Sequence, residues 1–294
     1  MANMRAIRNR IKSVEGTRQI TKSMKLVSGA KLRRVQSARG SLNIFAEKSG
    51  AILRDLLAQM QEVDNPFLKG GTGRAVYVLL VGNRGLCGAY NTAILNFMKN
   101  EVRIHPDLED TDPENDPLLV VVGSWGRDLI AELGLEVIKT FDDFKDVPTS
   151  DEAAALTAYL KELYLSGEVS QITFVYQHYR SALSQMPAVM DFLPVSSTGA
   201  AMVASDIIYE PDEKQILDQL VDIYMYSTVF SLMLEARLGE HTARMMAMTA
   251  ATDNTEELIA RLTQDLNHAR QAAITTEISE IVGGAAALKN AEDE

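Results

Sequence analysis

Proline is confined to one stretch of this chain. All eight prolines lie between Pro66 and Pro211; the 65 residues before and the 83 after contain none. Proline lacks an N–H and clashes with the preceding helical turn, so helix interiors exclude it. Two proline-free flanks with helical periodicity therefore predict two long helices from opposite ends of the chain. In the second flank, Pro211 near the first helical position and acids in the first turn mark a start. Ile216, Leu220, Ile223, Ser227, Phe230 and Leu234 then recur at steps of four and three, and Leu258, Leu262, Leu266, Ala269 and Ala273 form a similar seam. That spacing is the pattern of coiled-coil packing. A helix of about 75 residues would be about 110 Å long. The first flank carries Ile7, Ile11, Val14, Ile20, Met24 and Val27, interrupted by Gly16, Gly29 and Gly40. Each glycine costs about 1 kcal/mol against alanine in a helix interior. It either marks a weak point or lets another backbone approach.

The middle, 74–198, has a different texture. "RAVYVLLVG", "DPLLVVVG", "LEVIKTF", "SQITFVYQHY" and "AVMDFLPV" read as strands. "NTAILNFMKNEV", "RDLIAELG" and "SDEAAALTAYLKELYLSG" read as helices between them. Alternating strands and helices predict a sheet of βαβ units, with the later strands able to run antiparallel. The expected fold class is α/β plus a long antiparallel coiled coil: a Rossmann-like α/β domain inserted between N- and C-terminal helices. The expected divisions are 1–65 and 209–288 for the helices and 74–198 for the domain. Paired from the domain end, the C-terminal helix would overhang its partner by about 20 residues, or about 30 Å. The small-residue run "VGGAAAL" lies in that overhang, and Gly283 and Gly284 are expected to end the regular helix.

Chemistry-bearing patterns are sparse. Cys87 is the sole cysteine, and His105, His178, His241 and His268 are scattered without metal-ligand spacing. No apolar run approaches the roughly 20 residues that cross a bilayer, and the charged N-terminus has no signal-peptide core. "VGNRGLCGAYN" follows a strand and opens a helix, the setting of a phosphate loop. Its Gly82, Gly85 and Gly88 fit neither the dinucleotide nor the Walker A spacing, so it reads as a structural turn. From these residues no catalytic site and no cofactor are expected. Charge is unevenly placed. Residues 1–46 carry eleven Lys/Arg and one acid, +10; the other 248 residues carry −21, which gives the chain's −11. The basic arm has no aromatic residue before Phe45 for base stacking, so an acidic protein partner fits better than nucleic acid.

Five segments in order, "RIKSVEGTRQITKSMKLVSGAKLRR", "RGLCGAYN", "YEPD", "ARMMAMTAATDN" and "ARQAAITTEISEIVGGAAAL", together resemble the gamma subunit of F-type ATP synthase over nearly the whole chain. The resemblance implies a rotary shaft, itself non-catalytic and without a cofactor. Its paired helices would stand in a ring of three α and three β subunits, with its α/β domain beside the epsilon subunit and the membrane c-ring. The setting would be the cytoplasmic side of a bacterial membrane, as a peripheral protein. By the same resemblance Lys22, Met24, Lys25, Arg244, Gln271, Thr275 and Glu277 would contact the β subunits, and Tyr209 and Glu210 would lie toward the c-ring. Ile281, Val282, Gly283, Gly284, Ala285 and Ala286 would form a bearing tip in an apolar collar. The alternative is a coiled-coil adaptor with a small-molecule-binding α/β domain.

Overall fold

The computed structural model describes residues 2–60, 64–104, 116–131, 133–142, 144–195 and 213–292. The element order is α1 (Ala2–Gln59), β1 (Arg74–Leu80), α2 (Tyr90–Ile104), β2 (Leu118–Val122), α3 (Arg127–Ala131), β3 (Val137–Phe141), α4 (Ser150–Leu165), β4 (Val169–Tyr179), β5 (Gln185–Leu193) and α5 (Glu213–Glu292). The strands form one sheet in the order β3-β2-β1-β4-β5. The first four are mutually parallel and β5 runs antiparallel to β4. Helix α4 opens with a capping box, in which Thr149 and Glu152 satisfy each other's backbone N–H groups. Pro211 and the "YEPD" segment, including Tyr209 and Glu210, lie outside the described residues.

The chain divides into two compact units, and the boundaries fall inside both long helices. The larger unit is Ser28–Met246. Alternation along its strands buries two different sets of side chains, as parallel strands covered on both faces require. Val76, Val78, Leu80, Val120, Val122 and Phe174 join α4 and parts of α1 and α5 in one core. Tyr77, Leu79, Val81, Leu119, Val121 and Val175 join α2 and α3 in the other. Within this unit α1 and α5 run antiparallel: Arg39 meets Glu235, Asn43 meets Ser231 and Ser49 meets Ser227.

Helix α5 carries two buried stripes here. Phe230 and Leu234, part of the expected seam, pack with Leu32 and Val35 of α1. A second stripe, Leu217, Val221, Met225, Val229, Leu232 and Ala236, packs in the core on the sheet. Ile223, placed in the seam by its spacing, is exposed, because the helix is held between two neighbours and that position faces neither.

The smaller unit is Met1–Val27 with Ala247–Glu294. Met248, Thr252 and Leu262 of α5 are buried, and Leu258, Leu266, Ala269 and Ala273 are half-buried. On α1 the inward positions are Met4, Ile7, Ile11, Val14, Arg18, Thr21 and Lys25, and the 3,4 spacing continues into Ser28, Leu32 and Val35 of the larger unit. Ile20 and Val27, expected inward, are exposed, and the hydroxyl-bearing Thr21 and Ser28 take those turns. Thr21 Oγ1 meets Thr252 Oγ1 at 2.9 Å. Helix α5 does not stop at Gly283 and Gly284, as their composition suggested; it continues to Glu292. Two glycines cost about 2 kcal/mol against alanine, and the Ala-Ala-Ala-Leu-Lys run beyond them, all good helix formers, adds little further penalty.

Candidate functional site: a filled crevice and two open faces

In a doubly wound sheet, ligands bind beyond the carboxyl ends of the strands where the chain order reverses. In this sheet that place is the end of β1, beside β4, where the turn 81–89 begins. It is occupied by the chain itself. Tyr90 donates from its hydroxyl to Ala236 O of α5 at 2.9 Å, and burial and Glu240 push its phenol far up from the ordinary value. Gly239 lets α5 come this close, since a Cβ there would lie 3.2 Å from both Gln185 Oε1 and Tyr90 Cε2.

Three charged residues of α5 then engage the turn. Glu240 accepts from Arg237 Nη1 at 2.6 Å and from Arg244 Nη2 at 2.7 Å, one guanidinium on each carboxylate oxygen. All three are buried. Burial alone would raise the Glu240 carboxyl pKa; the two guanidiniums outweigh it and hold it below the ordinary value. The remaining donors reach the turn. Arg244 donates to Arg84 O and Gly85 O at 3.0 and 3.3 Å, and Arg237 to Asn83 Oδ1 at 3.3 Å. Asn83 passes the contact on to Phe144 O at 2.9 Å. Gly82 N donates to Asn91 Oδ1 at 2.8 Å, fixing the strand end to α2. A Cβ on Gly82 would stand 3.0 Å from Glu240 Cδ, so the glycine that resembled a phosphate-loop residue makes room for a carboxylate of the same chain. Cys87 is buried beneath the turn; burial raises its thiol pKa, and its sulfur accepts from Asn91 Nδ2 at 3.3 Å.

Next to Glu240, His241 donates from Nε2 to Asp146 O at 3.0 Å, and its buried Nδ1 has no partner among the described residues. Burial holds this imidazole below its ordinary pKa. The Asp146 carboxylate pairs with Lys31 of α1 at 2.7 Å. The turn 82–85 and the segment 144–146 thus form a polar collar on α5.

Arg244, expected at an intersubunit contact, is turned into this collar, and its guanidinium is spent on internal partners. The other candidates lie in the smaller unit. Lys22 is exposed and Met24 and Lys25 are half-buried; Gln271, Thr275, Glu277, Ile281, Val282, Gly283 and Ala285 are exposed. Nothing further is described for the side chains at Gly284 and Ala286. Ile274, Ile278, Ile281 and Val282 form an exposed apolar stripe at steps of four, three and one, without cover among the described residues, with Ile281 66% exposed. Such a stripe marks an interaction surface. Ile20, Leu26 and Val27 make an exposed apolar group on α1. Among the described residues, only Lys31 and Arg39 of the eleven N-terminal cations have a carboxylate partner in the chain.

A protein-family model described as ATP synthase matches residues 3–288. The ATP synthase gamma chain of Desulforamulus reducens is 38% identical over 292 residues, 98% of this chain and 100% of that one. The chain belongs to the ATP synthase gamma chain family. The gamma chain of Symbiobacterium thermophilum is 39% identical over 293 residues, covering 98% of this chain and 99% of its own length. Among solved structures, a chain of the Euglena gracilis mitochondrial ATP synthase in rotational state 3 matches with a TM-score of 0.64 at 20% identity, over 100% of this chain and 97% of that one. A rotor chain of the same enzyme in rotational state 1 matches at 0.61 and 21% identity, over 93% of this chain and 99% of that one. These two likenesses extend the family assignment to the fold, helices included.

Proposed function

We propose that this chain is the central shaft of a rotary ATP synthase, without catalytic chemistry of its own. The observation that carries the reading, beside family membership, is the exposed apolar stripe Ile274–Val282 on α5. It lies in the segment that the resemblance puts inside the catalytic ring, and it has no cover among the described residues. The ring of three α and three β subunits supplies that cover, with the epsilon subunit and the membrane c-ring against the sheet domain. No described helix is long and apolar enough to cross a membrane, which accords with attachment through those partners at the cytoplasmic face of a bacterial membrane.

In this reading the work is positional. Turning the shaft presents a different face to each β subunit, and each face stabilises a different β conformation. The shaft angle thereby biases nucleotide binding and release through differential contact energy. Lys22, Met24 and Lys25 on α1, with Gln271, Thr275 and Glu277 on α5, are the side chains proposed for the β contact. Tyr209 and Glu210 are proposed toward the c-ring. Residues 281–286 are proposed as the bearing tip, a helical one. The alternative, an adaptor with a small-molecule site, loses its main ground because the crevice that would hold the ligand contains α5.

The test is ATP-driven rotation of a bead fixed to this chain in a reconstituted complex with the α and β subunits. Continuous one-way rotation is expected. A complex that assembles and hydrolyses ATP while the bead only fluctuates would refute the reading.

A further inference from the structure

The collar contains more charge than the fold requires. Buried ion clusters are commonly replaceable by packed apolar side chains without loss of stability, so stability alone does not account for Arg237, Glu240 and Arg244. What they add is direction. The broad contact of Leu217–Ala236 with the domain is mainly apolar, and apolar burial is non-directional. It opposes separation more than it opposes turning. The polar links of that contact, such as Asn65 to Asp218, Lys161 to Asp222 and Tyr179 N to Glu235, are scattered, whereas the cluster gathers two guanidiniums on one carboxylate. Charge-assisted hydrogen bonds constrain both length and angle, and a guanidinium fork fixes orientation as well.

Their position matters equally. Arg244 lies two residues before Met246, where the larger unit ends on α5. Lys31, bonded to Asp146, lies three residues after Ser28, where the same unit begins on α1. His241 is bonded to the backbone of that same Asp146. Both helices are therefore pinned to the loops of the sheet domain at the ends of the unit. A shaft fixed in a hub carries its greatest shear at such a place.

We propose that the Arg237–Glu240–Arg244 cluster, with the turn 82–85 that it grips, is a torque key: the contact that stops α5 from turning against the sheet domain under load. The proposal rests on the rotary reading above and deepens it. These three residues are positioning residues and need touch no nucleotide.

The experiment uses the assembled complex. A Leu183→Cys substitution on the β4–β5 turn provides a label site, since Leu183 is 87% exposed while Cys87 is buried. A nanorod attached there reports the angle of the sheet domain while the ring is stalled with a non-hydrolysable nucleotide. In the triple variant Arg237→Met/Glu240→Met/Arg244→Met, the angular variance is expected to rise about twofold or more, in line with the greater stiffness of charge-assisted over neutral contacts. A purely structural role would lower the yield of complex and leave the variance of each assembled complex unchanged; that result overturns the proposal. If the triple variant does not assemble, Arg244→Lys is read instead, since it keeps the charge and loses the fork. A smaller rise supports the key, and unchanged variance overturns it. Failure of the rotary reading would appear separately, as a Leu183→Cys parent that does not rotate.

Discussion

At Gly82 a methyl group has no space. The carboxylate it would meet, 3.0 Å away, is held by two arginines and cannot swing aside, so Gly82→Ala is expected to destabilise the chain by about 1–3 kcal/mol in urea unfolding. Gly16 is the opposite case: a Cβ there meets nothing within 4 Å, and Gly16→Ala should stabilise the free chain by about 0.5–1 kcal/mol. Similar effects at the two sites would contradict the packing described. His241 gives a pH dependence. Its folded pKa is depressed below the ordinary 6.5, so its contribution is full above pH 6.5 and is lost as pH falls through the folded value. Protonation would place an N–H on the buried Nδ1, which has no acceptor among the described residues. Of the charged neighbours that face it, Glu240 and Asp146 are both held below their ordinary values and stay ionised across this range. The melting temperature should therefore fall between pH 7 and pH 5, and a His241→Gln variant should flatten that decline. The sequence singled out Gly82 in a turn and Arg244 as an intersubunit contact, but nothing in it joined them into one site. Arg237, Glu240 and Arg244 have the spacing of an ordinary solvated helix face, and only the arrival of the turn 82–85 makes them a buried cluster.

At the scale of elements, the strands and short helices were legible because each is bounded by glycine or proline and patterned to its own period. The inward face of α1 was not. Ile20 and Val27 looked like seam residues because they are apolar, yet Thr21 and Ser28 hold those turns. A hydroxyl is tolerated on either side of a helix, and the partner decides: Thr252 opposite Thr21 supplies a hydrogen bond that sequence spacing does not reveal. The exposed apolar residues of α5 are informative in turn. Exposed Ile278 and Ile281 contribute little to the free chain, so Ile278→Ser and Ile281→Ser should each change its stability by less than about 0.5 kcal/mol. The same substitutions should weaken its association with the catalytic ring, measured by titrating the chain into the other subunits. Loss of stability without loss of association would show that the stripe is internal packing.

For the whole molecule, the proline map was enough to place an α/β domain between two long helices, since helix breakers cannot be hidden by packing. It could not show that the domain's ligand crevice is filled, because that depends on a contact between residues as far apart as Tyr90 and Ala236. Charge also acts at this scale. With nine of the eleven N-terminal cations having no carboxylate partner among the described residues, association with an acidic partner should be electrostatically steered. The association rate is expected to fall roughly tenfold or more from low to physiological salt, with a smaller change in dissociation. A salt-independent rate would leave the basic arm without that role. The joining of the two chain ends also has a consequence during synthesis. Thr21 waits for Thr252, 231 residues later. At a ribosomal speed of 5–20 residues per second, that interval is roughly 10–50 s. Throughout it the newborn first helix displays Ile7, Ile11 and Val14 with no partner yet made. A chaperone that holds the nascent chain, or slow codons placed after the sheet domain, would therefore alter the yield of this protein more than that of one whose helices pair with their neighbours in sequence.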